Sequence, residues 1–249
     1  MTKSAKAWLL AIVVLAVILV AALAPHEPGP NSAAPADGGT SVPTISSSDS
    51  PSVPTKPTTG THSALAVLAT LAVKGRSPRT GYNRTGDFGQ AWIDVDRNGC
   101  DTRDDILARD LTDIQRSGLC KILTGTRLDP YTGKIIHFVR GVATSTLLQI
   151  DHIVALSNAW QTGAQTLSQA QRVRFANDPL NLISVDGPTN EQKGDGDAAT
   201  WLPHHKAFRC TYVARQISVK AKYHLWVTPP ERDAMRRVLT TCPTQPAYP

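Results

Sequence analysis

Residues 25–62 carry so few large apolar side chains that they have almost nothing to bury, and this confines folding to the rest of the chain. Pro, Ser, Thr, Gly and Ala dominate the stretch. Such a composition does not offset the entropy lost on ordering, and its prolines keep it extended. It reads as a disordered linker. Before it, Ala7 to Ala24 form an unbroken apolar run of 18 residues behind Lys3 and Lys6. A run of that length just spans a bilayer, and the positive flank leaves the N-terminus in the cytoplasm. Two readings stay open, a cleaved signal peptide and an uncleaved N-terminal membrane anchor. The run exceeds the usual signal core of about 7–15 residues. Pro25 is also a poor residue after a cut at Ala22-Leu23-Ala24. Both points lean towards the anchor. Either way the remainder is exported, to the cell envelope or the extracellular space. The expected organisation is therefore 1–24 signal peptide or anchor, 25–62 linker and 63–249 a single domain of ordinary size.

The formal charge of +6 belongs wholly to 63–249, because residues 1–62 hold three basic and three acidic side chains. A net positive domain suits a polyanionic partner, though plain solubility also accounts for it. Cys100, Cys120, Cys210 and Cys242 are the four cysteines, and no two have the spacing of a metal knuckle. An even number in an exported chain reads as disulfides. Three connectivities are open, and Cys100–Cys120 with Cys210–Cys242 is preferred because each closes a local loop.

Periodicity places helices at Ser63 to Lys74, Thr102 to Leu111, Ala155 to Thr162, Ser168 to Phe175 and His205 to Tyr223. Another runs from Pro229-Pro230 to Leu239, with proline where a first turn tolerates it. Cys120 to Thr126 and Lys134 to Arg140 read as a hairpin around Asp129-Pro130-Tyr131-Thr132-Gly133. Leu147 to Asp151 and Leu182 to Val185 read as strands, Pro188 opens a helix or turn, and Ser77 to Gly89 is loop-like. The expected class is α+β with helices in the majority.

The chemistry concentrates around the second pair of strands. Asp151-His152 ends the first strand, Asn181 opens the second, and Asn190 and Lys193 follow it. A carboxylate and an amide oxygen are hard ligands suited to Mg²⁺, with Mn²⁺ an alternative. A strand–strand–helix arrangement brings Asp151 and Asn190 together around one ion. His152, its neighbour, takes a proton from water near neutral pH. Asn181 is placed to hydrogen-bond across the hairpin and hold the His152 loop. Lys193, one turn after Asn190, is a candidate phosphate contact. Arg172, Arg174, Arg209, Lys220 and Lys222 are candidates for a backbone-binding face.

Asp151-His152-Ile153-Val154, Asn181-Leu182-Ile183 and Asn190-x-x-Lys193-Gly194-Asp195 together resemble the HNH endonuclease pattern. The resemblance implies a ββα-metal core, with His152 as general base, Asp151 and Asn190 as metal ligands and Asn181 as the structural asparagine. The third position is Asn, so the site reads H-N-N. Ala159-Trp160-x-x-Gly163-Ala164, Arg174 to Leu182, Trp201-Leu202-Pro203 and Tyr212-x-x-Arg215 extend it. So do Asp94 to Arg103 and Asp129 to Gly133. In these the chain is similar to an exported actinobacterial branch of HNH proteins, akin to the nuclease domain of GmrSD-type restriction enzymes. The resemblance covers about 80–240 and implies a metal-dependent endonuclease acting on nucleic acid, DNA ahead of RNA.

A second constellation, Asp94, Asp96, Asn98 and Asp105, approaches the spacing of a calcium-binding loop. Asp stands where that loop has a bidentate Glu, and Cys100 takes the seventh position. An Asx-rich turn is the competing reading. Arg103, just beyond, is a candidate contact to the scissile phosphate. These residues frame the rival to the nuclease, a non-catalytic calcium-binding envelope protein on a degenerate nuclease fold. A nuclease toxin aimed at neighbouring cells is a third reading.

Overall fold

A computed structural model describes residues 62–249. The expected leader or anchor at 1–24 lies outside the described residues, as does the linker at 25–62 apart from His62. The first helix, α1 (Ala64–Thr70), starts where the Ser63 side chain accepts from the Ala66 N–H. It stops four residues short of the expected Lys74. Val73 instead bridges Val227, and the Lys74 and Val227 N–H groups bond Val227 and Ala72 carbonyls at 3.0 Å each. The expected loop at Ser77 to Gly89 contains a one-turn helix, α2 (Arg84–Phe88), capped by Asn83. Next come α3 (Thr102–Asp110), capped by Asp101, and strands β1 (Thr112–Ser117), β2 (Lys121–Leu128) and β3 (Ile135–Val139).

These strands form an antiparallel sheet in the order β1-β2-β3. The β2–β3 hairpin turns through Asp129 to Gly133, as its turn chemistry leads one to expect. Strand β1 is absent from the sequence reading. Its residues Thr-Asp-Ile-Gln-Arg-Ser are nearly all exposed on an edge, so no alternation of apolar and polar side chains announces it.

The remaining elements are β4 (Leu148–His152), α4 (Leu156–Gln161), α5 (Gln169–Ala176), β5 (Leu182–Asp186), α6 (Gly187–Lys193), α7 (Arg209–Lys222) and α8 (Pro229–Leu239). Strands β4 and β5 pair antiparallel, with Asp151 opposite Ile183 and His152 opposite Leu182. Helix α6 follows β5 directly and packs on both strands. The expected long helix from His205 begins as a 3-10 turn at Lys206–Phe208 and becomes α-helical only at Arg209. Helix α8 opens with a capping box in which Thr228 and Glu231 satisfy each other's N–H groups, and proline occupies its first turn. The described residues are thus α+β with helices in the majority.

Apolar side chains gather in three clusters. Helices α1, α7 and α8 pack on Ile153, Ile183, Val185 and Tyr131. Phe88, Phe175 and Val219 centre the second, around α4 and α5. Ile106, Leu107, Ile122, Phe138, Leu148 and Leu182 form the third, between α3 and the two sheets. The β4–β5 pair contributes to the first and third clusters, so its polar end is held by packing on either side. Disulfides join Cys100 to Cys120 and Cys210 to Cys242.

Candidate active site

The apolar residues Leu148, Ile150, Leu182, Ile183 and Val185 are each under a tenth exposed, and they drive β4 and β5 into the interior. Asp151 and His152, at the end of β4, are carried in with them at 5% and 7% exposure. Burying a charge and an imidazole demands partners, and the structure supplies them. Asp151 Oδ1 accepts from the Lys193 ammonium at 2.9 Å. Its Oδ2 accepts from the Tyr131 hydroxyl at 2.5 Å. Tyr131 comes from the β2–β3 turn and is fully buried. Burial and the adjacent Asp151 charge push its phenol well above the usual range, so it stays a donor.

His152 Nε2 lies 2.8 Å from the Ala176 carbonyl. A carbonyl only accepts, so Nε2 carries the proton and Nδ1 keeps the lone pair. Burial pushes the imidazolium form down to a pKa of about 3, aided by the positive charges of Arg84 and Lys193 and opposed by the Ala176 carbonyl. The ring is neutral at physiological pH. Asn181, with no exposed surface, holds the turn after β4. Its Oδ1 accepts from Val154 N–H at 2.8 Å, and its Nδ2 donates to the Val154 and Phe175 carbonyls at 3.3 and 3.4 Å. The Asn181 carbonyl also accepts from Ile153 N–H at 2.7 Å. One side chain thereby ties the residues after His152 to the end of α5, whose last residue supplies the His152 acceptor.

Asn190 sits on α6, which is capped by Asp186. The polarity of its amide follows from its neighbours. The Glu191 carboxylate accepts from Gln149 Nε2 at 2.9 Å, so Gln149 turns its Oε1 to Asn190 and accepts from Asn190 Nδ2 at 2.9 Å. The Asn190 oxygen is left without a hydrogen-bond donor among the described residues. Asp151, His152 and Asn190 line one cleft of about 390 Å³, together with Arg79, Tyr82, Arg84, Ser157 and Asp195. The structure therefore brings together Asp151, His152 and Asn190 in one cleft, with Asn181 buried behind the turn that follows His152.

Other expected residues fall elsewhere. The Lys193 side chain has no exposure, and its ammonium donates to Asp151 and to the His152 carbonyl, each at 2.9 Å. It is an internal counter-charge, and the expected phosphate contact is corrected accordingly. Only burial in the β4–β5–α6 core, which the sequence does not display, separates the two roles. Arg103 on α3 is largely buried, and its guanidinium reaches the Leu148 carbonyl at 3.5 Å, at the far end of β4 from His152. It does not line the cleft. Lys220 is likewise internal, 2.7 Å from the buried Glu231. Arg172 is held by the Asp87 and Leu167 carbonyls, and Lys222 pairs with Asp178.

The Asp94–Asp105 loop closes on its own donors. Asp94 accepts from the Asn98 and Gly99 N–H groups. Asn98 Nδ2 donates to Asp96 and Asp105 at 3.2 and 3.1 Å, while its Oδ1 accepts from Cys100 N–H at 2.7 Å. A calcium ligand at Asn98 requires that oxygen among the carboxylates, and here the amide nitrogen stands there instead. In this conformation the loop makes the hydrogen bonds of an Asx-rich turn. Among the described residues no group of three or more His, Cys, Asp or Glu is placed to hold a metal. No described helix is long and apolar enough to cross a membrane, and the run 7–24 lies outside that description.

Sequence reasoning misses four residues of the site. Tyr131 sits within turn chemistry, and an aromatic between Pro130 and Thr132 is its only signal. Gln149 is one alternation away from Asp151. Arg79 and Arg84 fall in a stretch whose composition is that of a loop.

Residues 101–238 match the family described as "GmrSD restriction endonucleases, C-terminal domain". The chain is also 38% identical over 174 residues to a protein of Arthroderma benhamiae (strain ATCC MYA-4681 / CBS 112371) named "Uncharacterized secreted protein". The aligned part spans 69% of this chain and 81% of that protein. No solved structure matches it. The match over more than half of the chain and the extended likeness to the secreted relative make this chain a member of the GmrSD restriction endonuclease C-terminal domain family.

Proposed function

We propose that residues 63–249 form an exported endonuclease that hydrolyses phosphodiester bonds, DNA ahead of RNA, with one divalent metal. The observation that carries this reading is the His152 geometry. Its Nε2 proton is committed to the Ala176 carbonyl, which leaves Nδ1 as the neutral acceptor of a residue that lines one cleft with Asp151 and Asn190. A neutral imidazole with a free nitrogen can accept a proton from water. Its pKa of about 3 is below the neutral range expected from the sequence, and an anionic phosphate bound beside it would strengthen it as a base by raising that pKa. Asn181 positions the base by fixing the turn that follows it. In this reading β4, β5 and α6 are the ββα-metal core of the HNH endonucleases.

The donor set fits a hard cation. Asp151 offers a carboxylate and Asn190 an amide oxygen with no other partner among the described residues, and Mg²⁺ takes one or two such ligands and completes its shell with water and phosphate. Mn²⁺ accepts the same oxygens. When bound, the ion would supply Lewis-acid stabilisation of the charge on the phosphate and the leaving oxygen. Lys193 and Tyr131 hold the Asp151 carboxylate in place through its two oxygens. His152 accepts the proton of the attacking water at Nδ1, which is unprotonated at neutral pH because burial holds its pKa at about 3. Export agrees with the name of the Arthroderma benhamiae relative and with two disulfides, which persist in oxidising compartments. A signal peptide or membrane anchor at 1–24 and a linker at 25–62 remain part of this reading.

Incubation of the full chain with supercoiled plasmid and Mg²⁺ or Mn²⁺ tests it. Nicking is expected, with EDTA abolishing it and His152→Ala slowing it by roughly 10²–10⁴-fold. Undiminished cleavage by the His152→Ala protein removes His152 as the base.

A further inference from the structure

Arg79, Tyr82 and Arg84 line the same cleft as Asp151, His152 and Asn190, yet all three precede residue 101, where the family match begins. Arg79 and Arg84 are exposed. Neither guanidinium pairs with a carboxylate among the described residues, whereas Arg76, Arg109, Arg127, Arg140 and Arg172 each have one within 4.0 Å. Two cations with no ion-pair partner among the described residues therefore line a cleft that holds two carboxylates, Asp151, paired from within by Lys193, and Asp195, which accepts from the Ser157 hydroxyl at 2.9 Å.

The segment that carries them is fixed to the domain. Ser77 N–H bonds the Gln161 carbonyl at 2.8 Å, and Gln165 Nε2 bonds the Pro78 carbonyl at 2.9 Å. Gln169 Nε2 and Arg172 Nε reach the Gly86 and Asp87 carbonyls at 2.9 and 3.0 Å. Phe88, only 1% exposed, anchors α2 in the cluster with Phe175. Tyr82 packs against both Phe88 and Trp160 at 6.1 Å between ring centroids. The Arg79 guanidinium lies 5.3 Å from the centre of the Tyr82 ring, within range of a cation–π contact. A guanidinium is a rigid fork that matches phosphate oxygens bidentately, and mounting it on an ordered segment lowers the entropy lost on binding.

We propose that residues 79–84, upstream of the family domain, form a phosphate clamp in which Arg79 and Arg84 grip backbone phosphates flanking the bond presented to His152. Tyr82 is the positioning residue for Arg79. The inference rests on the nuclease reading for the identity of its ligand. Its test needs neither metal nor cleavage. Binding of the full chain carrying His152→Ala to a fluorescent DNA duplex is measured by anisotropy in EDTA over a range of salt.

Adding Arg79→Gln and Arg84→Gln is expected to weaken binding roughly 10–100-fold. The slope of log affinity against log salt should also become shallower by about two, near 0.9 for each phosphate that the protein no longer neutralises. Arg236→Gln with Arg237→Gln removes the same charge from the exposed end of α8 and is expected to leave that slope in place. In protein that retains His152, Arg84→Gln is expected to raise KM with little change in kcat, and Arg84→Lys to recover part of the effect. An unchanged slope and affinity in the Arg79, Arg84 variant overturns the clamp. An equal weakening in the Arg236, Arg237 variant overturns it as well. A wild-type chain that binds through these arginines but never cleaves overturns the nuclease reading and leaves the clamp standing.

Discussion

At the scale of single residues, Lys193 shows how far a side chain's meaning depends on what covers it. In the sequence it follows Asn190 by one helical turn, a position from which a lysine reaches solvent or substrate equally well. In the folded chain its ammonium is buried between Asp151 and the His152 carbonyl. Removing one partner of a buried pair leaves the other charge uncompensated, at a cost of about 3–5 kcal/mol. Lys193→Met is therefore expected to lower the unfolding free energy measured in urea by an amount of that order, and the midpoint with it, even with no nucleic acid present. A lysine that served only as a phosphate contact would weaken binding and leave the midpoint where it was. Asp151, His152, Asn181 and Asn190 are legible in the sequence because strand-like runs bracket them and fix their order. Tyr131, Gln149 and Arg84 are not, since each acts on the site through tertiary packing, which alone brings its side chain there.

At the scale of elements, the β4–β5–α6 unit depends on a close approach that only glycine allows. Gly187, the first residue of α6, donates its N–H to the Leu147 carbonyl at 2.9 Å. A Cβ there would lie 2.0 Å from the Thr146 carbonyl oxygen. That oxygen belongs to the backbone leading into β4, so relief requires moving the strand that carries Asp151 and His152. Gly187→Ala is expected to destabilise the domain by about 3 kcal/mol, the upper end of ordinary overpacking, and to cut cleavage by the fraction that unfolds. Unchanged stability would mean that the β5–α6 junction relaxes freely. The apolar runs of β4 and β5, the periodicity of α3 and α5 and the prolines that open α6 and α8 make those elements readable in advance. Strand β1 is hidden because its exposed polar edge follows no period, and α2 because one turn is too short to repeat. The early end of α1 comes from Val73 pairing with Val227, a contact 154 residues away in the chain.

At the scale of the whole molecule, the two disulfides tie together segments that flank the apolar clusters, and Cys242 itself packs against the first of them. Cys100–Cys120 joins the loop before α3 to the start of β2, over a separation of 20 residues. Cys210–Cys242 joins the start of α7 to the segment after α8, over 32. By loop-closure entropy each is worth about 3–4 kcal/mol, the larger loop slightly more. None of the four cysteines lines the cleft, and none bonds Asp151, His152, Asn181 or Asn190. Cys100→Ser with Cys120→Ser, and separately Cys210→Ser with Cys242→Ser, are thus expected to lower the denaturant midpoint, with the second pair of substitutions costing slightly more. Cleavage per folded molecule should remain near that of the parent below the transition. A parent-like midpoint in either variant would show that helix and sheet packing alone sets the stability of that region. A failure of cleavage in fully folded protein would mean that the bridge reaches the site through the backbone, with Cys120 and β2 the direct route because the β2–β3 turn delivers Tyr131 to Asp151.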